Sequence, residues 1–369
     1  MSTKEDNFTH KDKFFMSLAL DLAKAKIGLT GVNPAVGAVI VNEKKEIISV
    51  GSTGFGGIPH AEIGAIKNSI VNLKNTTLYV TLEPCTHYGK TPPCVNEIIK
   101  HKFGKVFFSI PDIDKKVRNK SKKILRQRGI IVKEGLLKDK VKNFYQSYEF
   151  NRKFKLPFVT GKIAITKNNI IYSDQTKKIT TLKTDKLTHY LRYKNDSILV
   201  SSETINKDNP RLDCRLKGFK KFSPRRIILD KNLKIKLTSN IVKSINKYNT
   251  IIFYNRLSQK KYTYLKKKGA QLIKTGLDKD KNLNLKLILR TLYTLKCRYI
   301  LVEGGAYLTK SFLKMRLFNV FYLLKSNKKD PMKKNFKVFE SKNILEKVFD
   351  KKTIIKNILG KDKIIQYNY

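Results

Sequence analysis

At 369 residues the chain is long for one hydrophobic core and comfortable for two, and 41% apolar content is enough to fill them. The formal net charge is +49, yet Lys is spread along the whole chain alongside abundant Asn and Ile, which reads as compositional bias rather than a nucleic-acid footprint on one face. Four cysteines exclude a disulfide framework, no run of about 18 apolar residues exists to span a bilayer, and the mixed-charge N-terminus argues against a signal peptide, so the reducing cytoplasm is the expected location.

The first part alternates helices and strands. "FFMSLALDLAKAK" has helical apolar spacing, and "VGAVIV" and "IISVGS" read as strands joined by the charged turn "NEKKE". "HAEIGAIKNSI" predicts a helix beginning near His60, "TTLYVTLE" a strand, and "PPCVNEIIKHK" a helix with prolines at its start. "KVFFSI", "KSKKILRQRG" and "IIVKEG" continue as strand, helix and strand. Such alternation implies an α/β layer with helices packed on a sheet. The helical segment "DKVKNFYQSYEFNRKF" then leads to "LPFVTGKIAI", and a domain boundary is expected near residue 150. Beyond it, "SILVSS", "RRIILD", "TIIFYN" and "YILVEGG" predict strands, and "TDKLTHYLRYKN" and "AYLTKSFLKMRL" predict helices. From about Lys325 the chain is Lys/Asn-rich with short strand-like pieces, and no internal repeat is evident.

Chemistry concentrates in two stretches of the first part. His60 and Glu62 lie two apart at a helix start, so one can ligate a metal while the other reaches over it. Cys85 follows a strand and Pro84, and Cys94 follows Pro93 and opens the next helix. Free N–H groups and the helix dipole favour thiolate at such places. One imidazole and two thiolates leave a fourth tetrahedral position for water, the arrangement of a catalytic rather than a structural zinc. Glu62 is then the candidate proton shuttle. The pattern H-x-E…P-C-x-x-C of zinc nucleobase deaminases fits, except that the second Cys comes late, at the end of "PCTHYGKTPPC". The insert carries His87 and Lys90, which can line a substrate pocket.

At "NPAVGAVIV", "HAE" and "TLEPCTHYGKTPPC" the sequence resembles the bifunctional riboflavin-biosynthesis deaminase/reductase family. The resemblance implies an N-terminal cytidine-deaminase-like three-layer α/β/α domain over 1–150 and a C-terminal dihydrofolate-reductase-like α/β domain over 151–369. It implies hydrolytic deamination of a phosphoribosylated diaminopyrimidinone, followed by NADPH-dependent reduction of the ribosyl to a ribityl chain. By the same resemblance His60, Cys85 and Cys94 hold Zn2+, Glu62 is catalytic, and Asn33, His87 and Lys90 contact the substrate. The expected partner is a small phosphorylated pyrimidine. A homo-oligomer is implied; a membrane or nucleic-acid partner is not.

In the second part "LPFVTGKIAI", "SILVSSETINKDNPRLDCR" and "YILVEGGAYL" resemble the reductase half in the expected order. A strand ending in Glu303-Gly304-Gly305 before a helix offers open N–H groups to an anion, and glycine there allows close approach. Carried over by resemblance, Ala164, Lys178, Thr204, Asp208, Gly305 and Ala306 fall at cofactor positions. Thr176, Arg192, Leu212, Arg215 and Glu303 fall at substrate positions, and the two arginines suit a phosphate. This half also departs from the family: "TKNN" stands where a Ser-Leu-Asp-Gly turn is usual, no Trp occurs near Lys178, Asn319 and Val320 replace an acidic pair, and "KSNKKDPMKKNF" replaces a Gly-rich segment. Three alternatives therefore stay open: a monofunctional deaminase on a degenerate reductase scaffold, a zinc deaminase acting on RNA, and a zinc-stabilised interaction protein.

Overall fold

The computed structural model describes residues 8–89, 91–114, 118–173, 178–332, 335–356 and 360–369. The chain divides into two compact units, Met1–Lys155 and Leu156–Tyr369. The division falls at the end of a long helix, a few residues beyond the expected position near 150. Among the described residues no helix is long and apolar enough to cross a membrane.

The first unit runs α1 (His10–Lys26), β1 (Gly37–Val41), β2 (Ile47–Ser52), α2 (Ala61–Asn68), β3 (Thr77–Leu82), α3 (Cys94–Lys100), β4 (Lys105–Ile110), α4 (Lys120–Gln127), β5 (Ile131–Glu134) and α5 (Lys138–Phe154). Its sheet has the order β2-β1-β3-β4-β5, antiparallel from β2 to β3 and parallel from β3 to β5. Alternation along each strand sorts side chains to two faces. Val39, Val41, Tyr79 and Phe107 meet Phe15, Met16 and Ala19 of α1. Ala38, Ile40, Leu78, Val80, Val106 and Phe108 meet Ala61 and Ala65 of α2, Val95 and Ile98 of α3, and Leu125 of α4. Thr9 starts α1 through a reciprocal capping box with Asp12.

Two glycines let the layers close. A Cβ on Gly37 would lie 1.8 Å from the Ala19 carbonyl oxygen, and one on Gly51 would lie 2.1 Å from that of Ala61. Only a residue without a Cβ allows α1 and α2 to approach the sheet so closely.

The second unit comprises β6 (Phe158–Ile165), β7 (Ile170–Ser173), α6 (Leu182–Tyr193), β8 (Ser197–Ser201), α7 (Ser202–Asp208), β9 (Arg225–Leu229), α8 (Asn240–Lys243), β10 (Thr250–Tyr254), α9 (Gln259–Lys267) and β11 (Gln271–Lys274). It continues through α10 (Leu285–Thr294), β12 (Tyr299–Val302), α11 (Ala306–Lys314), β13 (Val320–Lys325), β14 (Phe336–Val338), α12 (Lys342–Val348), β15 (Lys351–Ile355) and β16 (Lys363–Asn368). The main sheet is β11-β10-β9-β8-β12-β6-β13-β16-β15. It is parallel up to β13 and antiparallel through β16 and β15. β7 and β14 form a separate two-stranded sheet. Again the strands sort by parity: Leu199, Ile227, Ile251 and Ile300 face α10 and α11. Ile198, Ile228, Ile252 and Leu301 face the layer holding Leu191, Ile241 and Leu265. The Lys-rich C-terminal stretch, expected as short strands, also contains the helix α12, which buries Leu345 and Val348 against the core.

Candidate active sites

In the first unit the local sequence delivers three donors to one point. His60 is the N-cap of α2 with extended backbone, and it makes no side-chain capping bond. Its ring is therefore not consumed by the helix start. Cys85 sits just beyond β3, and Cys94 is the first residue of α3, behind Pro93. His60 Nδ1 lies 3.3 Å from Cys94 Sγ and 3.5 Å from Cys85 Sγ, and all three donor atoms lie within 4.8 Å of one another. A tetrahedral zinc with one nitrogen and two sulfur ligands needs donors about 3.5–3.8 Å apart, from Zn–N near 2.0 Å and Zn–S near 2.3 Å. The cluster fits that ion closely.

The electrostatics favour thiolate at Cys85. The Cys94 backbone N–H at the start of α3 donates to Cys85 Sγ at 3.2 Å. Hydrogen bonding from Cys94 and His60 pulls the Cys85 thiol down to about 4, and the proton of this pair stays with Cys94. Glu62 is 4% exposed. Burial, and then the charge of Cys85, push its carboxyl up to about 7. A carboxyl poised near neutrality beside a metal-ligand set can both accept and return a proton.

The surrounding residues are held in place. Asn33 Nδ2 donates to the Gly57 carbonyl at 3.0 Å, and the Thr30 hydroxyl closes the turn onto the Asn33 carbonyl at 2.7 Å. That leaves the Asn33 amide oxygen for another donor. His87 Nδ1 is buried without a hydrogen-bond partner among the described residues. Lys90 lies outside the described residues. Sequence reasoning did not single out Glu83. It is 3% exposed, and its carboxylate accepts from the backbone N–H groups of Asp112, Asn119 and Ser121 and from the Ser121 hydroxyl. It thereby ties the residues after β4 to the strand that leads into Cys85.

In the second unit a cavity of about 760 Å³ is lined by Ala164, Thr204, Asp208, Gly305, Ala306, Leu212, Arg192 and Glu303. A second cavity of about 300 Å³ shares Ala164, Arg192, Asp208 and Glu303 and adds Lys178 and Arg215. All the residues of the second unit expected to serve cofactor and substrate are thus gathered here, except Thr176, which lies outside the described residues. The volumes are those of small-molecule sites.

The open helix end is present: Gly305 is the N-cap of α11 and makes no side-chain capping bond. Neither Gly304 nor Gly305 has a left-handed φ. A Cβ on Gly305 would meet only Thr204 Oγ1, at 3.8 Å, so this glycine keeps the cavity wall thin rather than making a turn possible.

The arginines behave differently from each other. Arg192 makes a bidentate pair with Glu303, Nε to Oε1 at 2.7 Å and Nη2 to Oε2 at 2.9 Å, and its Nη1 donates to the Asp213 carbonyl at 3.1 Å. Burial alone would raise the Glu303 carboxyl, but Arg192, and more weakly Lys162, hold it below the usual range. Arg215 donates from Nη1 to Asp213 Oδ1 at 3.0 Å and is half exposed, so much of its guanidinium is open to an anion. Lys178 pairs with Asp185 at 2.5 Å. Lys162, Tyr172, Lys207, Lys310 and Lys337 also line the first cavity. In a chain with 78 Lys and Arg, nothing in the sequence distinguishes those lysines from the rest.

Comparison with known proteins places both units. Residues 9–110 match the cytidine and deoxycytidylate deaminase zinc-binding region, and residues 166–325 match the RibD C-terminal domain. The riboflavin biosynthesis protein RibD of Aquifex aeolicus is 35% identical over 310 residues, 84% of this chain and 85% of that protein. RibD of Bacillus amyloliquefaciens is 32% identical over 310 residues, 84% and 82% of the two chains. The crystal structure of the Thermotoga maritima diaminohydroxyphosphoribosylaminopyrimidine deaminase/5-amino-6-(5-phosphoribosylamino)uracil reductase superposes with a TM-score of 0.80 at 30% identity, covering 97% of this chain and 99% of that one. The chain therefore belongs to the RibD family of riboflavin biosynthesis proteins, with a cytidine-deaminase-like α/β/α domain followed by a dihydrofolate-reductase-like α/β domain.

Proposed function

We infer that the chain carries out two reactions of riboflavin biosynthesis in succession. The first is hydrolytic deamination of 2,5-diamino-6-(5-phosphoribosylamino)pyrimidin-4-one to 5-amino-6-(5-phosphoribosylamino)uracil. The second is NADPH-dependent reduction of the ribosyl to a ribityl side chain. Residues 1–155 serve the deaminase and 156–369 the reductase. The observation that carries this reading is the convergence of His60, Cys85 and Cys94 at zinc-ligand spacing beside the buried Glu62.

His60, Cys85 and Cys94 are the residues to hold zinc. When bound, zinc is a Lewis acid that makes water a competent nucleophile at neutral pH. Glu62 accepts the proton of that water and returns it to the departing amino nitrogen, a role suited to a carboxyl raised to about 7. Asn33, through its free amide oxygen, and His87, from the Cys85–Cys94 insert, orient the pyrimidine. Lys90 serves the phosphate.

In the reductase domain Ala164, Lys178, Thr204, Asp208, Gly305 and Ala306 form the cofactor wall, with the open N-terminus of α11 towards a phosphate. NADPH, when bound, supplies the hydride. Thr176, Arg192, Leu212, Arg215 and Glu303 form the substrate side. Glu303, oriented by Arg192, accepts from sugar hydroxyls, and the half-open Arg215 takes the phosphate. A cavity of about 760 Å³ lined by Ala164, Arg192, Thr204, Asp208, Gly305 and Glu303 favours an active reductase over a degenerate scaffold, despite the departures at "TKNN" and the missing Trp. The enzyme is read as a cytoplasmic homo-oligomer, a state that sedimentation equilibrium tests.

The deciding experiment is mass-spectrometric product analysis after incubation with the diaminopyrimidinone phosphate, with and without NADPH. The expected products are the deaminated uracil without cofactor and the ribityl compound with it. Deamination without any NADPH oxidation would reduce the activity to that of a monofunctional deaminase.

A further inference from the structure

Arg226, on β9, is 1% exposed and is among the largest fully buried side chains of the chain. A buried guanidinium is expensive unless it is paired. Among the described residues no carboxylate forms an ion pair with it. Instead its Nη1 donates to Ser244 Oγ at 2.8 Å, its guanidinium carbon lies 4.2 Å from the Tyr248 ring centre, and its Nε has no partner. Burial pulls it down to about 10, so it remains charged at neutral pH. None of these contacts explains why a cation rather than an apolar residue occupies the core.

The remaining contact does. Arg226 Nη2 donates to the backbone carbonyl of Arg211 at 2.5 Å. The next residue, Leu212, is buried and has a φ of 57°, in the left-handed region that a branched side chain avoids. Such a conformation persists only when its surroundings over-determine it. Here they do. The Cys214 N–H donates to Ser223 Oγ at 3.1 Å, the Arg215 N–H donates to His189 Nδ1 at 3.2 Å, and the Asp213 carbonyl accepts from Arg192. Arg226 is the anchor at the start of this segment, immediately before the left-handed residue.

We propose that Arg226 is a positioning residue for the reductase substrate: from the core it holds the Arg211 carbonyl and so locks the left-handed turn that presents Leu212 and Arg215 to the cavities. The inference rests on the reading that places the phosphorylated pyrimidine there. Arg226 touches neither substrate nor cofactor. It is the donor at Nη2, rather than the side chain's bulk, that the turn uses.

The test measures four variants for KM and kcat with the deaminated pyrimidine nucleotide, NADPH affinity by fluorescence, and thermal unfolding. R226M removes the donor and the buried charge together. It is expected to raise the pyrimidine KM about tenfold, to leave NADPH affinity within about twofold, and not to lower the melting temperature. R226K, which keeps one donor for the Arg211 carbonyl, is expected to recover a KM within about threefold of the parent. S244A removes a different partner of the same guanidinium and is expected to lower the melting temperature while leaving KM unchanged. A parental KM in R226M overturns the inference, as does a KM rise that S244A shares. If R226M fails to fold, R226K and S244A decide: an equal rise in KM of about tenfold in both shows a merely structural arginine. R215A separates this inference from the reading beneath it. A raised KM in R215A with a parental KM in R226M refutes only the role of Arg226, whereas a parental KM in R215A removes the substrate from this cavity.

Discussion

Glu62 is a buried carboxyl and Glu303 a largely enclosed one, and their neighbours push them in opposite directions. Glu62 has lost solvent and sits near the Cys85 thiolate, so it holds its proton up to about 7. Replacing it by Gln keeps the volume and removes the exchangeable proton. Glu62→Gln is expected to lower deaminase kcat by about 10²–10⁴-fold with zinc content unchanged, read by ammonia release and elemental analysis. Glu303, clamped by Arg192, stays ionised. Glu303→Gln leaves the Arg192 guanidinium buried without its counter-charge and is expected to cost about 3–5 kcal/mol in urea unfolding of this domain. Because the folded carboxyl of Glu303 lies below its unfolded value, its contribution is complete above the ordinary glutamate range. The contribution fades as pH falls through the folded value. The stability gap between parent and Glu303→Gln is therefore expected to narrow on acidification; a gap independent of pH would show that the pair adds nothing through its charge.

The elements carry these residues to their places by close contact. α2 bears His60 at its cap and Glu62 in its first turn, and it lies on β2 at Gly51. A methyl on Gly51 would meet the Ala61 carbonyl oxygen at 2.1 Å and the Ala65 nitrogen at 2.4 Å, both backbone atoms that cannot swing aside. Gly51→Ala is expected to cost about 1–3 kcal/mol and, by displacing α2, to weaken zinc retention as well. Dialysis against a chelator measures the second effect; loss of stability with unchanged zinc retention would mean the helix had shifted without moving its cap. The same logic explains what was legible. Near-continuous apolar runs in "VGAVIV", "TTLYV" and "KVFFSI" mark strands, because each is covered by a packed layer on both faces. α12 was not legible, because in a Lys/Asn-rich stretch only Leu345 and Val348 carry its buried face. Nor did any local signal separate Arg226 in "RRIILD" from its exposed-looking neighbours, since burial of a cation is decided by what the sheet lays against it.

At the scale of the whole molecule the two chemistries draw on separate residues. Among the described residues His60, Cys85 and Cys94, the candidate zinc donors, lie in residues 1–155, and the two cavities described above are lined within 156–369. Chelation is therefore expected to abolish deamination while NADPH oxidation continues when the deaminated uracil is supplied directly; loss of both would tie reduction to the metal. A net charge of +49 would favour the approach of phosphorylated substrates. It also obscures the site, because lysines that line a cavity and lysines that face water have the same sequence context.

The residue types and spacing of "HAE" and "EPCTHYGKTPPC" by themselves pointed to a zinc site and a deaminase reaction class, because few donor sets suit a catalytic zinc and His and Cys are scarce in this chain. Alternating strands and helices determined an α/β chain of two parts. Tertiary structure alone decided how the second half uses its charges: Arg192 is spent on Glu303 and the Asp213 carbonyl, Arg215 is left half open, and Arg226 is buried behind the turn at Leu212. The physical reason is desolvation. A charge's role depends on which partners remain once water is removed, and that is settled by residues far apart along the chain.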